Sequence, residues 1–250
     1  MENKTGKSDS TFFRQLFLSD IAEEPLGHEV LANQRERFLE VWKNKSKTPS
    51  NAIGIERIMK LALIALQFPF PGIYVRAISG RRGVLAKHLA IEAYVLFKIT
   101  VAILILSSQA FWFFPSVWCQ RIVTVFVIYM ITESLLYTAT LIFCSDVFAT
   151  PRSYKRNIIL LLSDYAEVVI GFASLYLIAG GLKYSGENGP FVSTSIDAAY
   201  FSFVTAVTIG YGDIVVTTEF GKMLVILQTI MFLVYGVLFL NFYISRIESK

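Results

Sequence analysis

A short stretch near the end of the chain, TAVTIGYGD (Thr205 to Asp213), lies between two long apolar runs. Glycine adopts backbone angles that are closed to other residues, so Gly210 and Gly212 at alternating positions let successive carbonyl groups face one direction. Non-helical backbone at membrane depth is tolerated only where protein buries it or where it lines a watery path. A stack of carbonyl oxygens on such a path can replace the water shell of a monovalent cation.

The residues just before this stretch, 193–206, read STSIDAAYFSFVTA and predict a buried half-helix that is too short to cross a membrane. Ser193, Thr194 or Ser195 is a suitable N-cap, and Asp197 falls in the first turn. The C-terminal end of such a helix carries partial negative charge, which favours a cation beside it.

Four apolar runs are long enough to cross a hydrocarbon core of about 30 Å. Hydrophobic residues make up 54% of the 250 residues and charged residues only 17%, which argues against a soluble α/β enzyme of this length. We therefore predict an all-α membrane protein with four transmembrane helices plus a re-entrant pore helix and a filter loop. The predicted spans are residues 90–112, 122–143, 159–182 and 222–243.

The N-terminal third of the chain divides into two parts. Residues 1–57 predict a cytoplasmic tail with a short amphipathic helix, because apolar residues recur there at helical spacing. Residues 58–88 carry five basic and no acidic residues, and two prolines interrupt their apolar run. We read 58–88 as an interfacial segment lying in the membrane plane or half inserted, with a fifth span as the alternative. The residues behind these readings are Leu31, Phe38, Leu39, Trp42, Pro69 and Pro71.

The remaining residues form a peripheral two-helix hairpin with its cytoplasmic linker, 89–157, and a pore domain, 158–250. The linker contains Arg152, Lys155 and Arg156 and lies on the same side as the basic 58–88 segment. The positive-inside rule then places both termini in the cytoplasm of a multi-pass protein of the plasma or cell inner membrane. Basic residues on this side are suited to contact anionic lipid headgroups.

The sequence TIGYGD resembles the selectivity-filter signature of the potassium channel family, and the resemblance covers roughly residues 158–246. It implies that the carbonyl groups of Thr208, Ile209, Gly210 and Tyr211 bind K⁺, with the Thr208 hydroxyl at the innermost site. It also implies that Gly212 closes the outer end of the filter and that Asp213 braces it from behind. One chain supplies one filter segment, so the resemblance implies a homotetramer.

Several positions depart from the family pattern. Some members carry an acidic residue where this chain has Val204, so support behind the filter is expected from Asp213 and from nearby aromatic residues. The inner helix lacks a glycine midway, near Phe232, and its candidate gate residues are Gly236 and Asn241. The aromatic residues are Tyr200, Phe201 and Phe203.

Four ionisable residues fall inside predicted spans, where charges are costly and normally find partners: Lys98, Glu133, Asp164 and Glu167. Helical rise brings Lys98 and Glu133 within reach of each other. One reading is a structural ion pair that holds the peripheral helices to the pore. The alternative is a proton-sensitive or lipid-sensitive gate.

Together these patterns predict a potassium-selective channel that conducts passively and without strong voltage gating, since the second span has only Arg121 at its edge. We expect no enzyme activity, no cofactor other than K⁺ as the transported ion, and no nucleic-acid partner. The alternatives are a non-selective monovalent cation channel and a non-conducting, channel-like subunit that requires partners.

Overall fold

The structure is a computed structural model that describes residues 38–39, 41–42, 54–80, 83–110, 116–143, 154–186 and 189–248. From residue 54 onwards these ranges contain seven α-helices and two short strands. The helices are α1 (Ile55–Leu66), α2 (Pro71–Gly80), α3 (Val84–Ala110), α4 (Val117–Phe143), α5 (Tyr154–Leu175), α6 (Ser195–Ala206) and α7 (Glu219–Glu248); the strands are β1 (Leu182–Tyr184) and β2 (Ile214–Val216).

Four helical segments are long and apolar enough to cross a membrane: His88–Ser108, Val117–Thr140, Ile158–Gly180 and Glu219–Val237. Helix α6 has 12 residues, and it is too short to cross. This arrangement confirms the predicted all-α membrane fold with four spans and one short re-entrant helix. The chain is therefore a multi-pass integral membrane protein.

The end of the third span differs from its predicted position. Helix α5 widens into a π-helical segment, Tyr176–Gly180, and Gly181 then caps it with a left-handed φ of 60°. Leu182 already belongs to strand β1, which pairs antiparallel with β2. The predicted boundary at Leu182 is therefore corrected to Gly180, because hydropathy alone does not distinguish a buried apolar strand from the last turn of a helix.

Helices α1 and α2 form an elbow at residues 67–70, where the two prolines interrupt the predicted apolar run. Pro71 is the first residue of α2, a position at which its missing N–H group costs nothing. The Tyr129 hydroxyl on α4 donates to the Pro69 carbonyl at 2.9 Å, and the Phe70 and Tyr129 rings stack with centroids 4.8 Å apart. Helix α1 packs on α4, and α2 packs on α3.

Part of the predicted tail helix is described. Phe38, Leu39 and Trp42 are helical, and the Phe38 and Trp42 rings stack with centroids 6.3 Å apart. The Arg57 guanidinium donates to the Val41 carbonyl at 3.2 Å and also to the Trp42 carbonyl. Leu31 lies outside the described residues, as do residues 1–37 in general.

The core lies where α5 meets its neighbours. Helix α5 contacts the two peripheral helices α3 and α4, and it also contacts α6 and α7. Phe172 and Tyr176 on α5 are buried together with Tyr235 on α7 and Ile214 on β2. Because α5 contacts both groups of helices, it fixes the position of the short helix and of the loop that follows it.

Candidate ion-conduction site

The short helix α6 is fixed at its N-terminus by its own first turn. Thr194 is the N-cap, and its hydroxyl oxygen accepts the Asp197 N–H at 3.1 Å. The Asp197 carboxylate accepts hydrogen bonds from the Thr194 hydroxyl and, at 2.7 Å, from the Tyr184 hydroxyl on β1. The hydrogen bond to Asp197 raises the pKa of Tyr184, so this phenol remains a protonated donor at neutral pH.

The loop begins with a tight turn at the C-terminal end of α6. The N–H groups of Val207, Thr208 and Ile209 donate back to carbonyl groups of the last helical turn, each at 3.0 Å. The Ile209 N–H uses the carbonyl of Val204, a residue whose side chain is buried. These bonds set the direction in which the chain leaves the helix.

The backbone of the loop alternates in handedness along TIGYG. Thr208, Gly210 and Gly212 have positive φ angles of 56°, 59° and 78°. The two glycines adopt this conformation without steric cost, whereas a β-branched residue such as Thr208 is strained in it. Strain of this kind is typical of functional sites. The spacing of the glycines anticipates two of the three angles, and nothing in the sequence anticipates the third.

The carbonyl groups of this loop are free in the subunit. Within the described part of the chain, no backbone N–H donates to the carbonyl groups of residues 208–212. The side chains of Ile209 and Tyr211 are 52% and 67% exposed in the single chain. The predicted K⁺ ligands Thr208, Ile209, Gly210 and Tyr211 thus form one short segment of unpaired acceptors, and unpaired acceptors at membrane depth need a partner.

The outer end of the loop is fixed by Asp213. Its carboxylate accepts hydrogen bonds from the Tyr200 hydroxyl on α6 at 2.8 Å and from the Ile214 N–H at 3.1 Å. Its carbonyl group accepts the Ser185 N–H at 2.8 Å. Asp213 therefore joins the loop to α6 on one side and to the β1–β2 ribbon on the other. Of the two other aromatic residues predicted to support the loop, Phe201 contacts Tyr176 edge-on with ring centroids 4.9 Å apart, whereas Phe203 is exposed in the single chain.

Sequence reasoning missed a buried polar junction behind α6. The Gln228 side-chain amide on α7 donates to Ser202 at two atoms, the carbonyl oxygen at 3.0 Å and the hydroxyl oxygen at 2.9 Å. The Tyr176 hydroxyl donates to Gln228 Oε1 at 2.8 Å, and the Ser202 hydroxyl donates to the Val169 carbonyl at 2.7 Å. Gln228 and Ser202 are 2% and 0% exposed. The signal available in the sequence was the single glutamine within an apolar span.

Residues 167–249 match the family model described as "Ion channel". Over these residues the chain is similar to ion channels, and this match points to a transport protein and not to an enzyme. The matched range contains the last part of α5, the ribbon, α6, the loop and α7.

Two curated proteins are similar to this chain. Two-pore potassium channel 4 of Arabidopsis thaliana is 40% identical over 79 residues, which cover 30% of this chain and 26% of the relative. The hyperpolarization-activated voltage-gated potassium channel of Methanocaldococcus jannaschii is 27% identical over 124 residues, which cover 42% of this chain and 59% of the relative. The chain therefore spans less than two thirds of either relative. No solved structure matches it.

The two candidate gate residues, Gly236 and Asn241, both lie on helix α7. Gly236 is on α7, and a Cβ atom added there would meet no other atom within 4 Å. Asn241 also lies on α7, but its side chain is outside the described residues. The neighbouring Tyr235 is 1% exposed, and its hydroxyl is 3.4 Å from the donating hydroxyl of Thr138 on α4. A peripheral helix therefore contacts the inner helix one residue before Gly236.

The four ionisable residues predicted to lie within the membrane are all buried: Lys98, Glu133, Asp164 and Glu167. Lys98 Nζ lies 2.9 Å from Glu167 Oε2 and 3.9 Å from Glu133 Oε2, so its nearest carboxylate belongs to α5 of the pore domain. Lys98 also donates to the Ser134 hydroxyl at 2.6 Å. Glu133 accepts the Tyr94 hydroxyl at 2.7 Å and the Gly72 N–H at 2.8 Å. Asp164 lines the same cavity as Lys98 and Glu133.

Proposed function

We propose that this channel is selective for potassium and conducts it passively, with residues 208–212 as the selectivity filter. The observation that carries the proposal is the TIGYG loop, with positive φ at every second residue and a row of unbonded carbonyl groups. Carbonyl oxygens in such a row can replace the hydration shell of K⁺. Both similar proteins are named potassium channels, which supports the same ion for this chain.

The position of the loop adds an electrostatic argument. Helix α6 ends at Ala206, two residues before Thr208, so the negative end of its dipole lies next to the innermost proposed K⁺ site. The Thr208 hydroxyl is the side-chain oxygen proposed for that site. A cation there is favoured by the helix end, by the hydroxyl group and by the carbonyl groups together.

We further propose a homotetramer, because each chain supplies only one filter segment and a carbonyl cage needs four. Ile209 and Tyr211 are exposed in the single subunit, as are several large apolar side chains of α7. Neighbouring copies would cover these surfaces. The α7 side chains are Met223, Ile226, Leu227, Ile230 and Leu233.

In this proposal both termini are cytoplasmic, and the filter opens towards the opposite side of a plasma or cell inner membrane. The basic residues of the cytoplasmic side are suited to bind anionic lipid headgroups. Residues 58–88, which contain the α1–α2 elbow, then form an interfacial segment that lies partly within the membrane. The basic residues are Arg76, Arg81, Arg82, Lys87, Arg152, Lys155 and Arg156.

Strong voltage gating is not part of the proposal. The archaeal relative is named as voltage-gated, but helix α4 of this channel carries one basic residue, Arg121, near its start. A voltage sensor requires several basic residues at regular spacing on one span. We place the gate on α7, near Gly236 and Asn241.

The reversal potential of the purified protein in a planar bilayer, with potassium on one side and sodium on the other, tests the proposal. We expect a reversal potential displaced strongly towards the potassium equilibrium value. A clear current that reverses near zero would support the non-selective alternative. If no current appears, the native mass of the assembly separates a closed homotetramer from a subunit that requires other partners.

A further inference from the structure

The α1–α2 elbow contacts its neighbouring helices well inside their spans. The Gly72 N–H group at the start of α2 donates to the Glu133 carboxylate of α4 at 2.8 Å. Glu133 lies seven residues before Thr140, the last residue of its span, and this is about 10 Å at 1.5 Å per residue. The same carboxylate accepts the hydroxyl of Tyr94, which lies six residues after His88, the first residue of the α3 span. Both helices therefore place the elbow at a similar depth.

The order of contacts along the chain shows from which side α1 reaches the elbow. At the end of α1, the Gln67 side-chain amide donates to the Thr140 hydroxyl and, at 3.4 Å, to the Leu136 carbonyl. Two residues later, the Pro69 carbonyl accepts the Tyr129 hydroxyl at 2.9 Å. The contacts thus move from the end of the α4 span towards its middle.

Helix α2 then leads back towards the side from which α1 came. Gly72 is bonded to Glu133, and four residues further along both helices the Arg76 guanidinium lies 4.0 Å from the centre of the Tyr137 ring. Helix α2 therefore runs beside α4 towards the end of that span. Since α2 ends at Gly80, shortly before α3 begins, the chain enters and leaves the elbow on one side of the membrane.

The backbone donors of the elbow all have partners. Two of residues 68–72 are prolines, so this segment has only three N–H groups. Those of Phe68 and Phe70 donate to carbonyl groups at the end of α1, at 3.2 and 3.1 Å, and that of Gly72 donates to Glu133.

Two carbonyl groups of the elbow are covered by tyrosine hydroxyls. The Phe68 carbonyl accepts the Tyr74 hydroxyl at 2.8 Å, and the Pro69 carbonyl accepts the Tyr129 hydroxyl at 2.9 Å. In hydrocarbon, irregular backbone is tolerated only where the protein itself satisfies its polar groups. The elbow meets this requirement although it is a turn.

The outward-facing side chains of the elbow are apolar, and several polar ones face the protein. A helix at an aqueous surface normally shows the opposite arrangement. An exposed apolar surface of this extent marks contact with a membrane or with another protein. The exposed residues are Ile58, Leu66, Phe68 and Ile78, and the buried polar residues are Lys60, Gln67 and Ser79.

We propose that α1 and α2 form a re-entrant hairpin whose tip, residues 67–71, lies about 10 Å inside the hydrocarbon and contacts lipid acyl chains. The lipid that surrounds the spans of α3 and α4 also borders this tip. The proposal adds depth, direction and a lipid partner to the proposed membrane position of residues 58–88. Its assignment to the cytoplasmic leaflet rests on the topology proposed above, whereas the hairpin itself depends neither on that topology nor on ion selectivity.

Nitroxide spin labels on single cysteines in proteoliposomes test the depth of the tip. Cys119→Ser and Cys144→Ser remove the native thiols, and labels are then placed by Phe68→Cys at the tip and Ile78→Cys near the end of α2. Ile128→Cys on α4 is the reference inside the membrane. Depth follows from collisions with oxygen, which is enriched in hydrocarbon, and with a water-soluble nickel complex. All three side chains are exposed in the single chain, and Leu66→Cys replaces Phe68→Cys if the latter does not fold.

We expect the Phe68 label to lie about 10 Å deeper than the Ile78 label, at a depth closer to that of the Ile128 label. Equal depths of the Phe68 and Ile78 labels would mean a segment parallel to the membrane plane and would overturn the proposal. Preferential collision of the Phe68 label with nickel would also overturn it. Low collision with both reagents would mean that protein, such as a neighbouring copy of the chain, covers the tip, and would overturn the lipid contact.

Sidedness separates the hairpin from a fifth span. In intact cells, a membrane-impermeant maleimide should label native Cys119, which is exposed, but should label Ile55→Cys only after lysis. Labelling of both positions in intact cells would place them on one side and overturn the hairpin. Labelling of Ile55→Cys alone would reverse the proposed topology while supporting the hairpin. None of these measurements needs an ion current, so they succeed or fail independently of the proposed filter.

Discussion

Gln228 Nε2 on the inner helix lies 3.0 Å from the carbonyl oxygen of Ser202 on the short helix. The same amide group also contacts the Ser202 hydroxyl, and Gln228 Oε1 accepts the Tyr176 hydroxyl of the outer helix. One buried side chain thus connects the three helices that surround the loop. Because its partners come from different helices, a change at Gln228 should affect the position of the filter as well as stability.

Gln228→Leu should destabilise the subunit by about 1–3 kcal/mol, because it leaves the buried hydroxyl of Tyr176 without a partner. We also expect a smaller single-channel current. Thermal unfolding and bilayer recordings measure the two effects. Thr229→Ala is the control, since the Thr229 hydroxyl bonds only to the Val225 carbonyl of its own helix. Equal effects of both substitutions would contradict a connecting role for Gln228.

Tyr200→Phe and Asp213→Ala should weaken potassium selectivity by the same route, because both remove the 2.8 Å hydrogen bond that holds this end of the loop. In a double-mutant cycle on the permeability ratio, the second substitution should add little to the effect of the first. Fully additive effects of the two substitutions would show that the hydrogen bond does not matter for the filter.

Gly212→Ala and Gly210→Ala should each abolish selective conduction. A Cβ atom at either position would meet no other atom within 4 Å of the same subunit, so within the subunit the substitution tests the backbone angle alone. The left-handed conformation costs a non-glycine residue about 1–2 kcal/mol. The measurement is the reversal potential under potassium and sodium.

The control for these substitutions is Gly236→Ala, at a helical position with equal space around the added Cβ atom. Gly236→Ala should leave ion selectivity unchanged, even if it changes the open probability. If Gly212→Ala conducts with undiminished potassium selectivity, residues 208–212 are not the filter.

Lys98→Met should destabilise the subunit by about 3–5 kcal/mol, because Glu167 would remain as a buried charge without its cation. Adding Glu167→Gln to Lys98→Met should recover part of the loss. Lys222→Met is the matched control, since Lys222 pairs with Glu219 at the surface, where ion pairs contribute little to stability. Thermal unfolding of the parent and the three variants measures these losses, and a loss for Lys98→Met no larger than that of the control would count against a structural ion pair.

Local patterns in the sequence were sufficient to predict the spans and the short helix. Hydropathy identifies the spans, and an N-cap followed by a short apolar run identifies α6. Both patterns depend only on residues that are close together in the sequence. The π-helical end of the third span escaped prediction because the change at Tyr176 is not marked by proline or by a charged residue.

The partner choices within the membrane were harder to predict. Spacing indicates that Lys98 and Glu133 lie near each other, but the rotation of α5 brings Glu167 closer to the lysine. The positive φ of Thr208 runs against the local preference of a β-branched residue, so it depends on the fold around the loop. Gln228 finds its partners 26 and 52 residues away in the sequence, a separation at which local patterns carry no information.

The β1–β2 ribbon also has a practical consequence. The pairs Leu182↔Val216 and Tyr184↔Ile214 join β1 to β2, and the Ser185 N–H group donates to the Asp213 carbonyl. On the β1 side, all of these bonds are made by residues that precede the turn at Gly186. A Cβ atom at Gly186 would touch nothing within 4 Å, although the φ of 116° there favours glycine. We therefore expect an epitope inserted next to Gly186, with this glycine kept, to report on the proposed channel in a living membrane while the loop at residues 208–212 keeps its structure.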